Sequence, residues 1–205
     1  MKSKPQIIAQ GAEAILIKDG KILKKDRIKK SYRHPALDSL LRTWRTRHES
    51  RIMEKASKLI PIPSIKKTSE FEIDMDFVPG KRLSNYLDSL PEKKSLKICK
   101  QIGQQVSKIH QSNIIHGDLT TSNMILYKSQ VYFIDFGLSF HSHRAEDKAV
   151  DLHLIKQAFE SKHFKRAKSY FKNIIDGYKQ ANPEAQLVLK QLEKVESRGR
   201  YKGKH

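Results

Sequence analysis

His116-Gly117-Asp118-Leu119-Thr120-Thr121-Ser122-Asn123 and, a short way downstream, Asp135-Phe136-Gly137 decide how this chain folds. The first stretch follows Ile114-Ile115, a short apolar run that ends in a loop. Between the two stretches, Met124-Ile125-Leu126-Tyr127 and Val131-Tyr132-Phe133-Ile134 flank Lys128-Ser129-Gln130, the pattern of two strands joined by a tight turn. A lone Asp-Phe-Gly carries little information. The spacing from Asp118 to Asn123, the hairpin and the second aspartate agree with one another, and together they carry much more.

Outward from that centre the pattern divides in two. Upstream, Ile7-Ile8-Ala9 and Ile15-Leu16-Ile17 read as strands around Gln10-Gly11-Ala12-Glu13-Ala14, and Asp19-Gly20 is a strong hairpin signal leading into Ile22-Leu23-Lys24-Lys25. From Pro35, the residues Leu37, Leu40, Leu41 and Trp44 fall at helical spacing, followed by His48, Ile52, Ala56 and Leu59. Thr46-Arg47-His48-Glu49 fits a capping box, which predicts a second helix from Thr46 and a packing role for Trp44 at the junction. Pro61 and Pro63 end the helical run, and Glu70 to Val78 alternates as a strand that Pro79-Gly80 breaks. Downstream, Ser89-Leu90-Pro91-Glu92 reads as another capping box. The helix behind it carries Leu96, Cys99, Ile102, Gly103, Val106, Ile109 and His110 on one face. Three further helices are expected over roughly 147–162, 165–181 and 183–196. The sequence thus predicts a strand-rich part over 1–78, a helical part over 79–197 and a flexible basic tail over 198–205.

The 205 residues carry 41 Lys+Arg against 22 Asp+Glu, a net charge of +19. Hydrophobic residues make up 38% of the chain, enough for a core. Nothing approaches a run of about 18 apolar residues, so neither a transmembrane helix nor membrane association is expected. Met1-Lys2-Ser3-Lys4-Pro5-Gln6 has no apolar signal core, which points to the cytoplasm. The single cysteine, Cys99, excludes an intrachain disulfide and a cysteine-based zinc site, and reads as core. His141-Ser142-His143 has metal-like spacing but no partner cluster, and reads as solvent-facing loop. The basic excess favours phosphate-rich partners. Most of its lysines read as solvated faces, with concentrations over 24–51 and 198–205.

The two opening stretches resemble the catalytic loop and metal-binding motif of the protein-kinase superfamily, H-x-D-L-x-x-x-N and D-F-G. The resemblance implies an α+β, reduced bilobal kinase-like fold with a strand-rich N-lobe and a small helical C-lobe, using ATP and Mg. Phosphoryl transfer needs positioned phosphates, magnesium and a carboxylate that orients the attacking hydroxyl or water. Asp118 would be that carboxylate, and Asn123 and Asp135 would hold magnesium through oxygen. The N-terminal part should then supply a lysine and a helix glutamate. Lys25, ending the return strand, is the candidate for the α- and β-phosphates, with Glu49 as its partner. Lys24 competes, because a one-residue slip puts a side chain on the other face of a sheet. Glu49 has a second reading, closing the capping box with Thr46. Gly11, Ala12 and Glu13 stand in the place of the Gly-rich loop with a single glycine, and Glu13 would repel a triphosphate unless a cation or basic side chain bridges them. Met75, Asp76 and Val78 fit the adenine-binding hinge, with base contacts to the backbone of Asp76 and Val78 and Met75 closing the back. Asp151 has two readings, a brace for the catalytic-loop backbone or an exposed acid continuing Glu146-Asp147-Lys148.

The resemblance sharpens when the motifs are taken in order. Gly11-Ala12-Glu13-Ala14, Lys30-Ser31-Tyr32-Arg33-His34-Pro35, Arg45-Thr46 with Glu49, His116 to Asn123, Asp135 to Leu138, Glu146 to Leu152 and the terminal Arg198-Gly199-Arg200 are similar as a set to the PRPK family, the small atypical kinase subunit of the KEOPS complex. The similarity spans nearly the whole chain. It implies an ATPase with atypical serine/threonine kinase activity, shown as autophosphorylation, that supports threonylcarbamoyladenosine formation in tRNA beside the anticodon. The implied partners are a tRNA threonylcarbamoyltransferase subunit, another small KEOPS subunit, and tRNA held by the basic surface and tail. Two departures from ordinary protein kinases weaken transfer to free protein. There is no Ala-Pro-Glu motif and little room before the helix at Asp147, and Thr120 stands where many such kinases place a phosphate-facing lysine. A small-molecule phosphotransferase is the first alternative, since His-Gly-Asp-Leu also occurs in aminoglycoside and choline kinase relatives, but their larger helical insert does not fit this length. A non-catalytic tRNA-binding scaffold is the second, and the complete set of Lys25, Asp118, Asn123 and Asp135 argues against it.

Overall fold

The computed structural model describes residues 4–200. The chain forms two compact units, one made of residues through Lys58 together with Ile62–Pro79, the other of Leu59–Pro61 and everything from Gly80 onward.

In the first unit, β1 (Gln6–Gln10), β2 (Ala14–Asp19), β3 (Ile22–Arg27), β4 (Ile65–Thr68) and β5 (Glu72–Asp76) form one sheet in the order β1-β2-β3-β5-β4. All its pairings are antiparallel. Asp19-Gly20 makes the expected turn, and Gly20 takes the left-handed φ of 56° that suits glycine there. The polar edge strand β4 has no apolar alternation, so it left no sequence signal. Its packing partner is α1 (Pro35–Ala56), which carries proline in its first turn. α1 is one uninterrupted helix, which corrects the expected break at Thr46. The Thr46 hydroxyl donates to the Arg42 carbonyl at 2.8 Å, a bond to the preceding turn in place of a cap. Trp44 is likewise not a junction residue. It is 59% exposed and stacks on His48 with ring centroids 5.0 Å apart.

The second unit opens with β6 (Lys81–Arg82) and the short helix α2 (Leu83–Tyr86), followed by α3 (Glu92–Gln111). Then come β7 (Ile114–Ile115), β8 (Met124–Tyr127), β9 (Gln130–Phe133) and β10 (Phe140–His141). Helices α4 (Ala145–Lys162), α5 (Ala167–Ala181) and α6 (Ala185–Arg200) complete it. β6, β8 and β9 form a small sheet, and β10 pairs with β7. The β8–β9 turn is made by Lys128 and Ser129 at φ 47° and 64°, the primed hairpin geometry achieved without glycine. α3 starts without the expected capping box, because the Ser89 hydroxyl donates to the Tyr86 carbonyl instead. Its buried face carries Ile98, Cys99, Ile102, Val106 and Ile109, and burial pushes the Cys99 thiol pKa up. α3 and α5 approach at two glycines. A Cβ on Gly103 would lie 1.9 Å from the Ile174 carbonyl oxygen, and one on Gly177 would lie 2.1 Å from that of Lys100.

α6 continues through Arg200, past the end expected near Glu196, so the expected flexible tail does not begin at Arg198. In this extension Arg198 Nη1 lies 2.6 Å from Glu146 Oε1 in the first turn of α4. Arg198 first, and Arg144 second, hold the Glu146 carboxyl below its ordinary pKa. The remainder of that tail, 201–205, lies outside the described residues. Among the described residues no helix is long and apolar enough to cross a membrane.

Candidate active site

The catalytic-loop candidates sit between β7 and β8, and α4 fixes their backbone. Asp151 is fully buried, and its carboxylate accepts the His116 N–H at 2.7 Å and the Gly117 N–H at 2.9 Å. The same Oδ2 lies 3.2 Å from His110 Nε2, whose other ring nitrogen lies 3.0 Å from the Tyr178 hydroxyl. Of the two readings for Asp151, the structure gives the brace. Gly117 has φ 79°, and a Cβ there would lie 2.3 Å from the Leu138 carbonyl oxygen, so the loop needs glycine on both counts. His116 is buried against Phe136, with centroids 4.8 Å apart, and against Phe133. Burial pushes its pKa down, opposed by Asp151, Asp135, Asp118 and the Ile134 carbonyl. A neutral ring fits its role, since Nδ1 accepts the Asp118 N–H at 3.3 Å.

Asp118 and Asn123 are brought together. Asn123 Nδ2 donates to the Asp118 carboxylate at 2.8 Å and to the Asp118 carbonyl at 3.0 Å. With its NH2 group spent, Asn123 has Oδ1 as its remaining polar atom, a hard oxygen of the kind magnesium takes. Asp135 follows β9 with φ 63°, a left-handed conformation unusual for a side-chain-bearing residue, and its Oδ1 accepts the Gly137 N–H at 3.3 Å. Among the described residues no three His, Cys, Asp or Glu side chains gather as a metal site. The candidate magnesium set is instead the Asp135 carboxylate and the Asn123 carboxamide, both offering oxygen. His141 and His143 are both exposed.

In the first unit, pairing of Leu16 with Lys25 fixes the register of β3. Lys25 Nζ lies 2.7 Å from Glu49 Oε1. Lys24, on the opposite face, pairs with Glu72 at 2.7 Å, and this hydrogen bond raises its pKa. Glu49 is 1% exposed and also receives Arg27 Nη2 on its other oxygen at 2.5 Å. Arg27 was missed from the sequence, although it lies two residues after Lys25 and so on the same face of the strand. The turn between β1 and β2 closes with the Gly11 N–H on the Ala14 carbonyl at 2.9 Å. A Cβ on Gly11 would meet only an ordinary contact at 3.7 Å. The Ala12 carbonyl accepts from Lys30 Nζ, and the Glu13 carboxylate pairs with Arg45. Met75 and Val78 are buried. The Asp76 N–H is committed to the Ser64 carbonyl at 2.9 Å, so of its backbone groups only the carbonyl is left for the expected base contact.

A model of the RIO domain matches residues 18–174. The KEOPS complex subunit Bud32 of Pyrococcus abyssi is 41% identical over 187 residues, covering 89% of this chain and 85% of that protein. The chain belongs to the Bud32/PRPK family of KEOPS subunits. A second relative, the probable bifunctional tRNA threonylcarbamoyladenosine biosynthesis protein of Methanosarcina mazei, is 35% identical over 202 residues; the match takes in 96% of this chain but 36% of that longer protein. Among solved structures, the Rio2 kinase complex with ADP/Mg2+ and phosphoaspartate from Chaetomium thermophilum superposes with a TM-score of 0.64 over 98% of this chain and 72% of its own. At 16% identity that likeness establishes the kinase-like fold. This Bud32-family chain therefore has an atypical-kinase fold of the phosphotransferase/ATPase type, with a strand-rich first unit and a helical second one.

Proposed function

We propose that this chain is an ATPase that supports threonylcarbamoyladenosine formation in tRNA as part of a KEOPS-type complex, with serine/threonine phosphorylation of protein, seen as autophosphorylation, as the lesser activity. The observation that carries the reading is the Asn123 carboxamide locked onto the Asp118 carboxylate at 2.8 Å, in a loop whose backbone is gripped by a buried aspartate. The names of the relatives support the tRNA setting. The proposed lobes are 1–78 and 79–197. Acting in the cytoplasm fits a chain whose single cysteine is buried and free.

In this reading Asp118 accepts a hydrogen bond from the attacking water or hydroxyl and orients it towards the γ-phosphorus. Asn123 Oδ1 and Asp135 would hold magnesium, which when bound would offset the charge that develops on the phosphates. Lys25, steadied by Glu49, binds the α- and β-phosphates, and the turn at Gly11, Ala12 and Glu13 covers them. Met75, Asp76 and Val78 bind adenine. The partners are a tRNA threonylcarbamoyltransferase subunit, another small KEOPS subunit and tRNA. Exposed lysines along α3 such as Lys93, Lys94, Lys97 and Lys100, and the basic residues of 198–205, supply charge for the last of these.

The test is ATP turnover by the chain alone, with the threonylcarbamoyltransferase, and with tRNA added. Turnover should rise with the partners and be abolished by Asp118→Ala or Asp135→Ala, because loss of such a contact commonly costs about 3 kcal/mol or more of transition-state stabilisation. Near-normal hydrolysis by either folded variant overturns the site assignment.

A further inference from the structure

The turn that carries Asn123 is tied to the helical part of its own unit by a polar chain, buried at Thr121, His163 and Tyr170 and open to solvent at Asp88, that none of the proposed nucleotide or metal contacts uses. Thr121 opens the 3-10 turn Thr121–Asn123 and is buried. Its hydroxyl lies 3.2 Å from His163 Nε2. His163 Nδ1 lies 2.7 Å from Asp88 Oδ2, and Asp88 Oδ1 accepts from the Tyr170 hydroxyl at 3.0 Å. The four residues come from separate places in the chain: the turn Leu87–Ser89, the catalytic loop, the residue after α4, and α5. His163 is 2% exposed. Its backbone is fixed at both ends, by its N–H on the Phe159 carbonyl at 2.8 Å and its carbonyl under the Arg166 N–H at 3.0 Å. Its ring is clasped by Phe159 and Tyr170, with centroids at 5.2 and 6.1 Å.

The donor and acceptor roles follow from the partners. An ionised Asp88 only accepts, so Nδ1 carries the ring proton and Nε2 is left to accept the Thr121 O–H. Orientation therefore passes from Tyr170 and Asp88 through the imidazole to Thr121. From Thr121 the path to Asn123 is short. The Asn123 N–H donates to the Thr120 carbonyl at 3.0 Å and its carbonyl accepts the Ile134 N–H at 3.0 Å, so a shift of the turn moves the carboxamide that holds Asp118. A packing role alone would call for an apolar side chain in this aromatic pocket, whereas His163 presents both ring nitrogens to polar partners.

We propose that His163 is a positioning residue that sets the geometry of Asn123 and Asp118 through Thr121. Its catalytic consequence rests on the proposed function above; its structural half does not.

The experiment uses the full chain with His163→Gln, His163→Asn, His163→Ala and Thr121→Val. Glutamine reaches the place of Nε2 and keeps the link to Thr121; asparagine reaches only the place of Nδ1 and keeps the link to Asp88. Hydrogen exchange of the nucleotide-free chain should show amides over 118–124 opening about tenfold faster in His163→Asn, His163→Ala and Thr121→Val than in the parent, with His163→Gln close to the parent. ADP binding followed by calorimetry should need about tenfold more Mg2+ in the same three variants, as for loss of a group supporting a metal ligand. ADP affinity at saturating Mg2+ should change less than about twofold. His163→Ala combined with Thr121→Val should be no worse than either alone. Equal behaviour of His163→Gln and His163→Asn, unchanged exchange over 118–124, or additive losses in the double variant overturns the proposal. Should His163→Ala fail to fold, the glutamine–asparagine pair and Thr121→Val still decide it. Should the parent fail to hydrolyse ATP, the function reading falls while the exchange measurement still tests the positioning role.

Discussion

Replacing Asp151 with asparagine changes almost no volume, so it isolates what the carboxylate does for the catalytic loop. In the parent the two oxygens of the buried carboxylate serve three partners: the His116 N–H at 2.7 Å, the part-buried Gly117 N–H at 2.9 Å and the ring of His110 at 3.2 Å. Asparagine keeps one acceptor oxygen. Its NH2 must then face a backbone N–H, so one buried donor loses its partner and meets another donor. An unsatisfied buried group costs about 1–3 kcal/mol, and exchanging a charged acceptor for a neutral one weakens the bond that survives. We expect a loss of about 2–4 kcal/mol for Asp151→Asn. Asp151→Ala, which strands all three partners, should lose at least as much. With a urea slope of about 1–3 kcal/mol per molar, the unfolding midpoint should fall by about 1–3 M for a 3 kcal/mol loss. ATP turnover, measured well below the new midpoint, should drop by about a hundredfold, because the loop carrying Asp118 loses its anchor at His116 and Gly117. A folded Asp151→Asn chain within about 0.5 kcal/mol of the parent, turning over ATP at the parent rate, would refute the bracing role.

Two further outcomes follow from the geometry. Lys25→Ala should weaken nucleotide binding far more than Lys24→Ala, since the Lys24 pair with Glu72 is about one-third exposed and worth at most about 1 kcal/mol; the reversed order in ADP calorimetry would refute the assignment of Lys25. Gly103→Ala should destabilise the chain by about 1–3 kcal/mol or more, because its Cβ would sit 1.9 Å from a backbone oxygen of α5 that cannot move aside alone; unchanged thermal unfolding would mean that α3 and α5 part without cost.

The proposed catalytic and metal-holding residues were legible because their meaning is local. Asp118, Asn123 and Asp135 stand at fixed spacings around a short hairpin, and the spacing itself signals the arrangement. The supports were not, because each is contributed from far along the chain. Asp151 lies 35 residues from the His116 amide it holds, and His163 lies 42 from Thr121. Nothing in Glu146-Asp147-Lys148 or around His163 distinguishes a buried anchor from a solvated charge until the helices are docked. The end of α6 shows the same limit. The helix runs on past Gly199, and the partner of its Arg198 is Glu146, 52 residues away.

The seating of α1 was hidden for a different reason, and it bears on how the first unit works. Of the residues at helical spacing, Ile52 and Ala56 are buried, whereas Leu37, Leu40 and Trp44 are exposed. The buried side of α1 holds Ile52, Met53 and Ala56 near its C-terminal end, preceded by Asp38 in the first turn and by Thr46, Glu49 and Ser50. The polar half is held by ion pairs: Asp38 with Arg42 at 2.7 Å and Arg33 at 3.7 Å, and Glu49 with Lys25 and Arg27. Against burial, which pushes it up, the Lys30 N–H and the Arg42 guanidinium hold the Asp38 carboxyl below its ordinary pKa. A hydrophobic-period argument finds the face that water rejects, and here the helix is seated by the face that opposite charges attract. The arrangement has a functional logic. An apolar contact would hold α1 equally well but would leave Lys25 without an acceptor, whereas a buried glutamate gripped from its second oxygen by Arg27 presents its first to the lysine in a fixed place. Losing Arg27 would therefore leave α1 docked through Ile52 and Met53 while freeing Glu49 to turn away from Lys25.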